Sequence, residues 1–166
     1  MRVLQGVSPD SEDLIITFVV EEGIPTRITS IEIEGNDEFS DDQLLQVVPD
    51  ITGEHYSRSK ARNGVRKLAE FYADRGYFNA RVDYSFVEMQ EDPGGELDEV
   101  KPVYGLTQEG NKVVVNRVLI SGNVDTKESA VHRAIDIEPG EILRQTDIFT
   151  SEQTLYATDV FELVEV

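Results

Sequence analysis

Hydrophobic and polar residues alternate along several short stretches of this chain, which is the pattern of β-strands with one buried face. Within the stretch 27–34, Ile31 and Ile33 point to one side, whereas Glu32 and Glu34 point to the other. The stretch 14–20 is instead rich in β-branched residues, which favour strands. Together these patterns predict strands at residues 14–20, 27–34, 77–88, 100–108, 116–121 and 161–166.

Hydrophobic residues at helical spacing predict a long helix after Ser57, a residue type that caps helix N-termini. The apolar stripe of this helix consists of Ala61, Val65, Leu68, Ala69 and Tyr72. Gly76 lies where a C-terminal glycine cap is expected. Gly64 lies inside the helix at a cost of about 1 kcal/mol relative to alanine, so we expect it to permit close packing such as a helix crossing; the alternative is that the glycine is merely tolerated.

A capping pattern predicts a shorter helix before the long one, because Gln43 follows Ser40 at the spacing of a capping box. The second half of the chain predicts two further helices, at about 126–135 and about 145–158. We expect Asp125 and Glu128 to form the capping pair of the first of these.

One pattern occurs twice in the chain. Residues 31–36, Ile-Glu-Ile-Glu-Gly-Asn, return at 118–123 as Val-Leu-Ile-Ser-Gly-Asn, an offset of 87 positions. The same offset places Glu22-Gly23 over Glu109-Gly110. Agreement at separated places indicates tandem copies of one structural unit. The order of elements in a copy, β-α-α-β-β, predicts an α+β fold with a three-stranded mixed sheet and two helices on one face.

The repeat divides the chain into three parts. Residues 1–24 are expected to hold the trailing strand of a preceding unit, residues 25–110 a complete unit, and residues 111–166 a unit lacking its last strand. In the third part the offset falls to 84, which aligns Phe161 with Tyr77. The turn before Phe161 lacks the glycine that precedes Tyr77, so its form is not predicted by the repeat.

Composition excludes several classes of function. The chain has 166 residues, 33 acidic against 15 basic side chains, and a formal charge of −18, which would repel phosphate backbones and anionic lipid headgroups. We therefore expect no nucleic-acid partner. Cysteine is absent, which removes disulfides, thiolate nucleophiles and cysteine-bound metal.

Candidate chemistry is sparse. Neither His55 nor His132 has a second histidine at metal-ligand spacing, and the acidic stretch 88–99 lacks the ligand pattern of a calcium loop. We interpret that stretch as a solvated hairpin tip around Pro93. The sequence therefore predicts no catalytic residue, no metal and no cofactor. A hydrolase built on paired carboxylates is the alternative from a different class.

Three motifs resemble the polypeptide-transport-associated (POTRA) domains of the Omp85 outer-membrane superfamily. The first is the repeated strand motif that ends in Gly35-Asn36 and Gly122-Asn123. The second joins the helix stretch 68–72 to Gly76-Tyr77 and the strand that follows, with a counterpart at 155–166. The third is the Glu-Gly pair that closes each third strand. In this order, twice, the motifs cover nearly the whole chain.

The resemblance implies a non-enzymatic, periplasmic module at the outer membrane of a Gram-negative-type bacterium. Such domains precede a membrane β-barrel, which is not in this sequence, and guide unfolded barrel precursors towards it. Accessory lipoproteins and periplasmic chaperones are the further partners that it implies. The successive units point to the barrel-assembly branch of the superfamily. Translocation or secretion of polypeptides across the outer membrane is the alternative.

The resemblance also places the second strand of a unit at a sheet edge, where a peptide could add as a further strand. The predicted peptide-binding edge consists of Asn79, Ala80, Arg81, Val82, Asp83, Tyr84, Ser85, Phe86 and Val87. The alternative is that Arg81 and Asp83 blunt this edge and that it binds nothing. The motif residues Gly35, Asn36, Gly76, Tyr77, Gly122 and Asn123 are interpreted as fold determinants rather than ligands.

The strand at 14–20 and the incomplete last unit suggest self-association. The strand of one molecule would complete the last unit of another by donor-strand exchange. The alternative is that the C-terminal half is partly disordered.

Overall fold

A computed structural model describes residues 2–7, 14–20, 26–91 and 98–166. The predicted hairpin tip around Pro93 lies outside these residues. The chain opens with an antiparallel hairpin of β1 (Arg2–Val7) and β2 (Leu14–Val19). The sequence predicted β2 from its β-branched residues but did not predict β1, because the segment Arg-Val-Leu-Gln-Gly-Val is neither rich in β-branched residues nor regularly alternating.

Residues 26–110 form a first unit with the predicted element order. Its elements are β3 (Thr26–Ile28), β4 (Glu32–Glu34), α1 (Asp41–Leu45), α2 (Arg58–Ala73), β5 (Arg81–Glu91) and β6 (Asp98–Gln108). The strand β6 is central: it runs parallel to β3 and β4 on one side and antiparallel to β5 on the other. Both helices pack on one face of this sheet, so the predicted mixed α+β fold is confirmed.

The single strand predicted at 27–34 is wrong, since it is divided into β3 and β4. Ile28 pairs with Val100, and Glu32 pairs with Val103. Between these two pairs the segment from β3 to β4 is therefore one residue longer than the facing segment of β6. Pro102 lies in the gap, and it has no N–H group to donate to a neighbouring strand.

The strand predicted at 77–88 begins later than expected and ends later. Residues 77–80 form a turn, closed by the Ala80 N–H group donating to the Tyr77 carbonyl at 3.1 Å, and β5 begins only at Arg81. Asn79 and Ala80 therefore precede the strand instead of forming part of its edge. The capping box of α1 is present: the Ser40 N–H group donates to Oε1 of Gln43 at 3.1 Å.

The core of the first unit lies between α1, α2 and the sheet, and Tyr104 of β6 is fully buried in it. Gly64 of α2 is also buried, and a methyl group placed on it would overlap the Tyr104 hydroxyl and ring. The close approach at Gly64 is thus between a helix and the central strand. The close packing expected at Gly64 is therefore present, but its partner is a strand rather than a second helix.

Residues 111–166 form a second unit with two helices, α3 (Glu128–His132) and α4 (Gln145–Tyr156). α3 is shorter than predicted, and its N-cap is Lys127 rather than the expected Asp125. The strands predicted at 116–121 and 161–166 do not form ladders. In 111–166 the structure records only an isolated bridge, between Val114 and Ile142.

Gly64→Ala is expected to lower the free energy of unfolding by about 1–3 kcal/mol, because overpacking against Tyr104 exceeds the helix propensity gained. Gly105→Ala is the matched control, since a methyl group on Gly105 of β6 would meet open space. We expect this control to be neutral or stabilising by up to about 1 kcal/mol. Urea denaturation with a common m-value measures both. Equal midpoints for the two variants would contradict the close contact.

Candidate functional site

The outer edge of β5 is the candidate peptide-binding site. β5 pairs with β6 along one side, and none of the other strands in the described residues pairs with its outer side. The strand has 11 residues, so it presents a long row of main-chain N–H and C=O groups. The structure places residues 81–87 of the predicted edge on this strand.

The opposite edge of the sheet is shorter and partly covered. Residues 53–56 lie along the outer side of β3 and bond to its main chain. The Ile28 N–H group donates to the Glu54 carbonyl at 3.0 Å, and the Gly53 N–H group donates to the Ile28 carbonyl at 2.7 Å. β5 is therefore the edge with more unpaired main chain.

Side chains of β5 alternate between two environments. Val82 is buried against the helices, and Tyr84 and Phe86 on the same face are half-buried. On the other face Asp83 and Ser85 are exposed, and Val87 is 45% exposed. A bulge interrupts the pairing with β6 between Glu88 and Gln90. The edge thus offers an apolar side, a polar side and a defined end.

The motif residues Gly35 and Asn36 fix the turn after β4. Gly35 has a φ of +76°, and a side chain there would collide with the Leu106 carbonyl of β6. Asn36 donates from Nδ2 to the Phe39 carbonyl at 2.8 Å and to Oδ1 of Asp41 at 2.7 Å. All of these contacts lie within the first unit.

The same turn recurs in the second unit. Gly122 has a φ of +87°, and Asn123 donates from Nδ2 to the Thr126 carbonyl at 2.9 Å, the bond that Asn36 makes 87 positions earlier. The repeated motif therefore encodes one hydrogen-bonded turn.

Gly76 and Tyr77 end α2. Gly76 has a φ of +92°, and the Tyr77 N–H group donates to the Tyr72 carbonyl at 2.9 Å, which closes the helix. The Tyr77 hydroxyl donates to Oε2 of Glu38 at 2.6 Å. This hydrogen bond to a carboxylate, together with burial, raises the pKa of Tyr77 to about 12.

Glu109 is the residue on which the three motifs meet, a role that the sequence did not reveal. Oε2 accepts from the N–H groups of Asp37 and Glu38, each at 3.1 Å, in the turn after β4. Oε1 accepts from the Tyr72 hydroxyl of α2 at 2.6 Å. Burial, and then this hydrogen bond, raise the pKa of Tyr72. The recurrence of the Glu-Gly pair in the sequence marked Glu109 as a motif residue, but it did not indicate which groups Glu109 contacts.

The two units also touch each other. The Thr146 N–H group in the first turn of α4 donates to Oδ1 of Asp74 at 3.2 Å, and the Thr146 hydroxyl donates to the same oxygen. The Val113 N–H group donates to the Gly76 carbonyl at 2.9 Å. A side chain on Gly76 would come within 2.5 Å of Cγ2 of Ile142. Gly76 is thus both a helix cap and a contact surface.

The second unit contains an apolar cleft of about 720 Å³ between its helices and the segments 115–123 and 161–166. In the first unit, β6 lies between the corresponding segments. Leu119 and Leu163 line the cleft, and Leu163 is 70% exposed. The cleft thus lies where the first unit holds its central strand, and apolar side chains line it.

Metal or membrane sites are not found in the part of the chain that the structure describes. Acidic and histidine side chains there form no group able to hold a metal ion. None of its helices combines the length and apolar character needed to span a bilayer.

A known protein family matches each of the two units. The family model described as POTRA, surface antigen variable number repeat, matches residues 26–106 and 113–166. The outer membrane protein assembly factor BamA of Nitratidesulfovibrio vulgaris is 25% identical over 163 residues, covering 96% of this chain and 20% of that protein. BamA of Neisseria meningitidis serogroup B is 24% identical over 137 residues, 76% of this chain and 16% of that protein. The chain thus spans about a fifth of these relatives' length.

Solved structures show the same fold. The crystal structure of POTRA domains 3–5 of Haemophilus influenzae BamA superposes with a TM-score of 0.69 at 18% identity, covering 99% of this chain and 63% of that one. BamA from Haemophilus ducreyi lacking POTRA domains 1–3 gives a TM-score of 0.67 at 19% identity, with 84% and 25% covered.

Glu109→Ala is expected to lower the free energy of unfolding by about 1–3 kcal/mol, because the buried Tyr72 hydroxyl and two N–H groups lose their acceptor. Glu109→Gln keeps one acceptor oxygen and should cost less. The exposed Glu34 is the matched control, and Glu34→Ala should change stability by less than about 0.5 kcal/mol. Urea midpoints that are equal for the alanine variants at positions 109 and 34 would refute the role of Glu109.

Proposed function

This chain belongs to the POTRA family, and on that premise we propose that it is a periplasmic substrate-binding and scaffolding module of an Omp85 protein. Its task is to guide unfolded β-barrel precursors to outer-membrane assembly, the process named in its BamA relatives. Accessory lipoproteins or periplasmic chaperones are its further partners. Its connection to the membrane runs through a barrel outside this sequence.

The open edge of β5 carries the proposal. An extended precursor segment that adds to this edge satisfies its own main-chain hydrogen-bonding groups on those of β5. Main-chain bonds do not depend on side-chain identity, so one edge serves many precursors. Arg81 and Asp83 lie at the start of the strand and Glu88 and Glu91 lie towards its end, whereas residues 84–87 between them carry no charge. The edge is therefore only partly blunted.

The test is an NMR titration of the chain with a peptide from the last strand of an outer-membrane barrel. We expect amide shifts to concentrate on residues 81–91, because a strand added there donates and accepts along β5. Residues 26–34, at the opposite edge, are the internal control and should shift little.

Shifts centred on 26–34 would move the site to the other edge and contradict the role of β5. An absence of shifts at millimolar peptide would refute precursor binding by these units and leave them as spacers or docking points.

We also propose that the isolated chain self-associates by strand exchange. The cleft of the second unit supports this, because it matches the site that β6 fills in the first. β2 is the repeat equivalent of part of β6, and Glu22-Gly23 follows it as Glu109-Gly110 follows β6. β2 already pairs with β1, so the exchange uses its other edge or releases it from the hairpin.

Light scattering over a range of concentrations checks this self-association. We expect dimer to increase with concentration, and Leu163→Lys to suppress it by placing a charge in the cleft. Val124→Lys is the control, since Val124 is 94% exposed and does not line the cleft. A monomer at every concentration would refute strand exchange.

A further inference from the structure

Three aromatic side chains lie together beside the open edge of β5. We name Tyr56, Tyr84 and Phe86 the aromatic shelf. The Phe86 ring centroid lies 4.4 Å from that of Tyr56 and 5.3 Å from that of Tyr84, both in edge-to-face geometry. All three side chains are half-buried, whereas Tyr72 and Tyr104 of the same unit are fully buried. The shelf thus leaves aromatic surface exposed next to unpaired main chain.

The shelf is held in place from two directions. Tyr84 and Phe86 belong to β5, where they pair with Tyr104 and Pro102 of β6. Tyr56 comes from the loop before α2, and its N–H group donates to the Thr26 carbonyl at 2.8 Å. A tyrosine hydroxyl is protonated at neutral pH, and burial, then the nearby Tyr84, raise the pKa of Tyr56 further. The shelf is therefore neutral and largely preformed.

A groove of about 550 Å³ continues from the shelf at residues 86–88 of β5. It is lined by Thr26, Tyr56, Phe86, Val87, Glu88 and Val100. Its volume lies within the range of clefts that hold small organic groups. The groove therefore has room for a large side chain that enters from the edge.

A strand added to β5 would lie about 4.8 Å from it, with its side chains in register with those of β5. Every second side chain would then fall on the helix-facing side, beside Tyr84 or Phe86. The side chains between them would fall beside Asp83 and Ser85, which are exposed and polar. The two faces of β5 thus require an occupant with two different faces.

We propose that the aromatic shelf is a side-chain subsite that selects extended peptides with large apolar, preferably aromatic, residues at alternate positions and polar residues between them. The proposal rests on strand addition to β5, and it adds a source of selectivity to main-chain binding. Edge-to-face contacts with the shelf supply the preference, because ring pairs add attraction beyond the area they bury.

Two synthetic peptides of equal composition test the selectivity. Acetyl-KTFSYTFSK-amide places its aromatic residues at alternate positions, and acetyl-KFTSYTSFK-amide places them three positions apart, so that no two aromatic residues are neighbours on one face of the strand. Both carry the same charge, so attraction to this acidic chain is equal, and physiological ionic strength limits it. We expect the alternating peptide to bind about three- to tenfold more tightly, measured by NMR titration or calorimetry.

Two variants locate the preference. Phe86→Leu keeps an apolar side chain but removes the shelf ring, and it should bring the ratio of the two affinities close to one. Phe71→Leu is the matched control: Phe71 is half-buried and packs edge-to-face on Phe39 at 5.0 Å, but it lies on α2. This control should lose similar stability and keep the full ratio. Amide spectra confirm that both variants fold.

A third peptide separates failure of the shelf from failure of strand addition. It is the alternating peptide made in two versions, one with N-methyl groups at the polar residues and one with N-methyl groups at the aromatic residues. Because the N–H groups of successive residues in a strand point to opposite sides, one of the two versions blocks the N–H groups that face β5. If one version loses binding but the wild-type chain does not discriminate between the unmethylated peptides, strand addition stands and the shelf proposal is overturned. If both versions bind fully, strand addition fails and the shelf proposal fails with it. Discrimination that persists in Phe86→Leu also overturns the shelf.

Discussion

The carboxylate of Glu109 holds together parts of the first unit that are far apart in sequence. It lies just beyond the central strand, accepts from the turn after β4, and accepts from the Tyr72 hydroxyl of the long helix. A turn, a helix and the end of a strand are thereby fixed to one group. Glu109 thus links the long helix to the turn after β4 at the end of β6.

The repeat made the element order predictable, because spacing and alternation survive in a single sequence. The break between β3 and β4 did not follow from alternation, since its cause lies opposite, at Pro102 of the neighbouring strand. The same holds for Gly64, whose neighbour Tyr104 is distant in sequence. Local pattern predicts an element, but the partner across the sheet decides where the element breaks.

The candidate site was predicted only in part for the same reason. The edge strand could be located from its pattern and the resemblance, but Tyr56 contributes from a loop that no strand pattern includes. The turn after α4 gives a further example. Asp159 adopts a φ of +54° there, at the same distance beyond its helix as Gly76 beyond α2. The backbone conformation is kept although the residue is not glycine, because aspartate tolerates the left-handed region better than most side chains.

The contact between Asp74 and the first turn of α4 has a thermodynamic consequence for a linear array of such units. Asp74 belongs to one unit, yet its carboxylate satisfies N-terminal donors of a helix in the next. The folding free energies of the two units are then not independent, because melting the first unit removes the helix cap of the second. Nearest-neighbour coupling of this kind makes an array cooperative along its length. Loss of order in either unit therefore destabilises its neighbour, because a coupling free energy between two units acts equally in both directions.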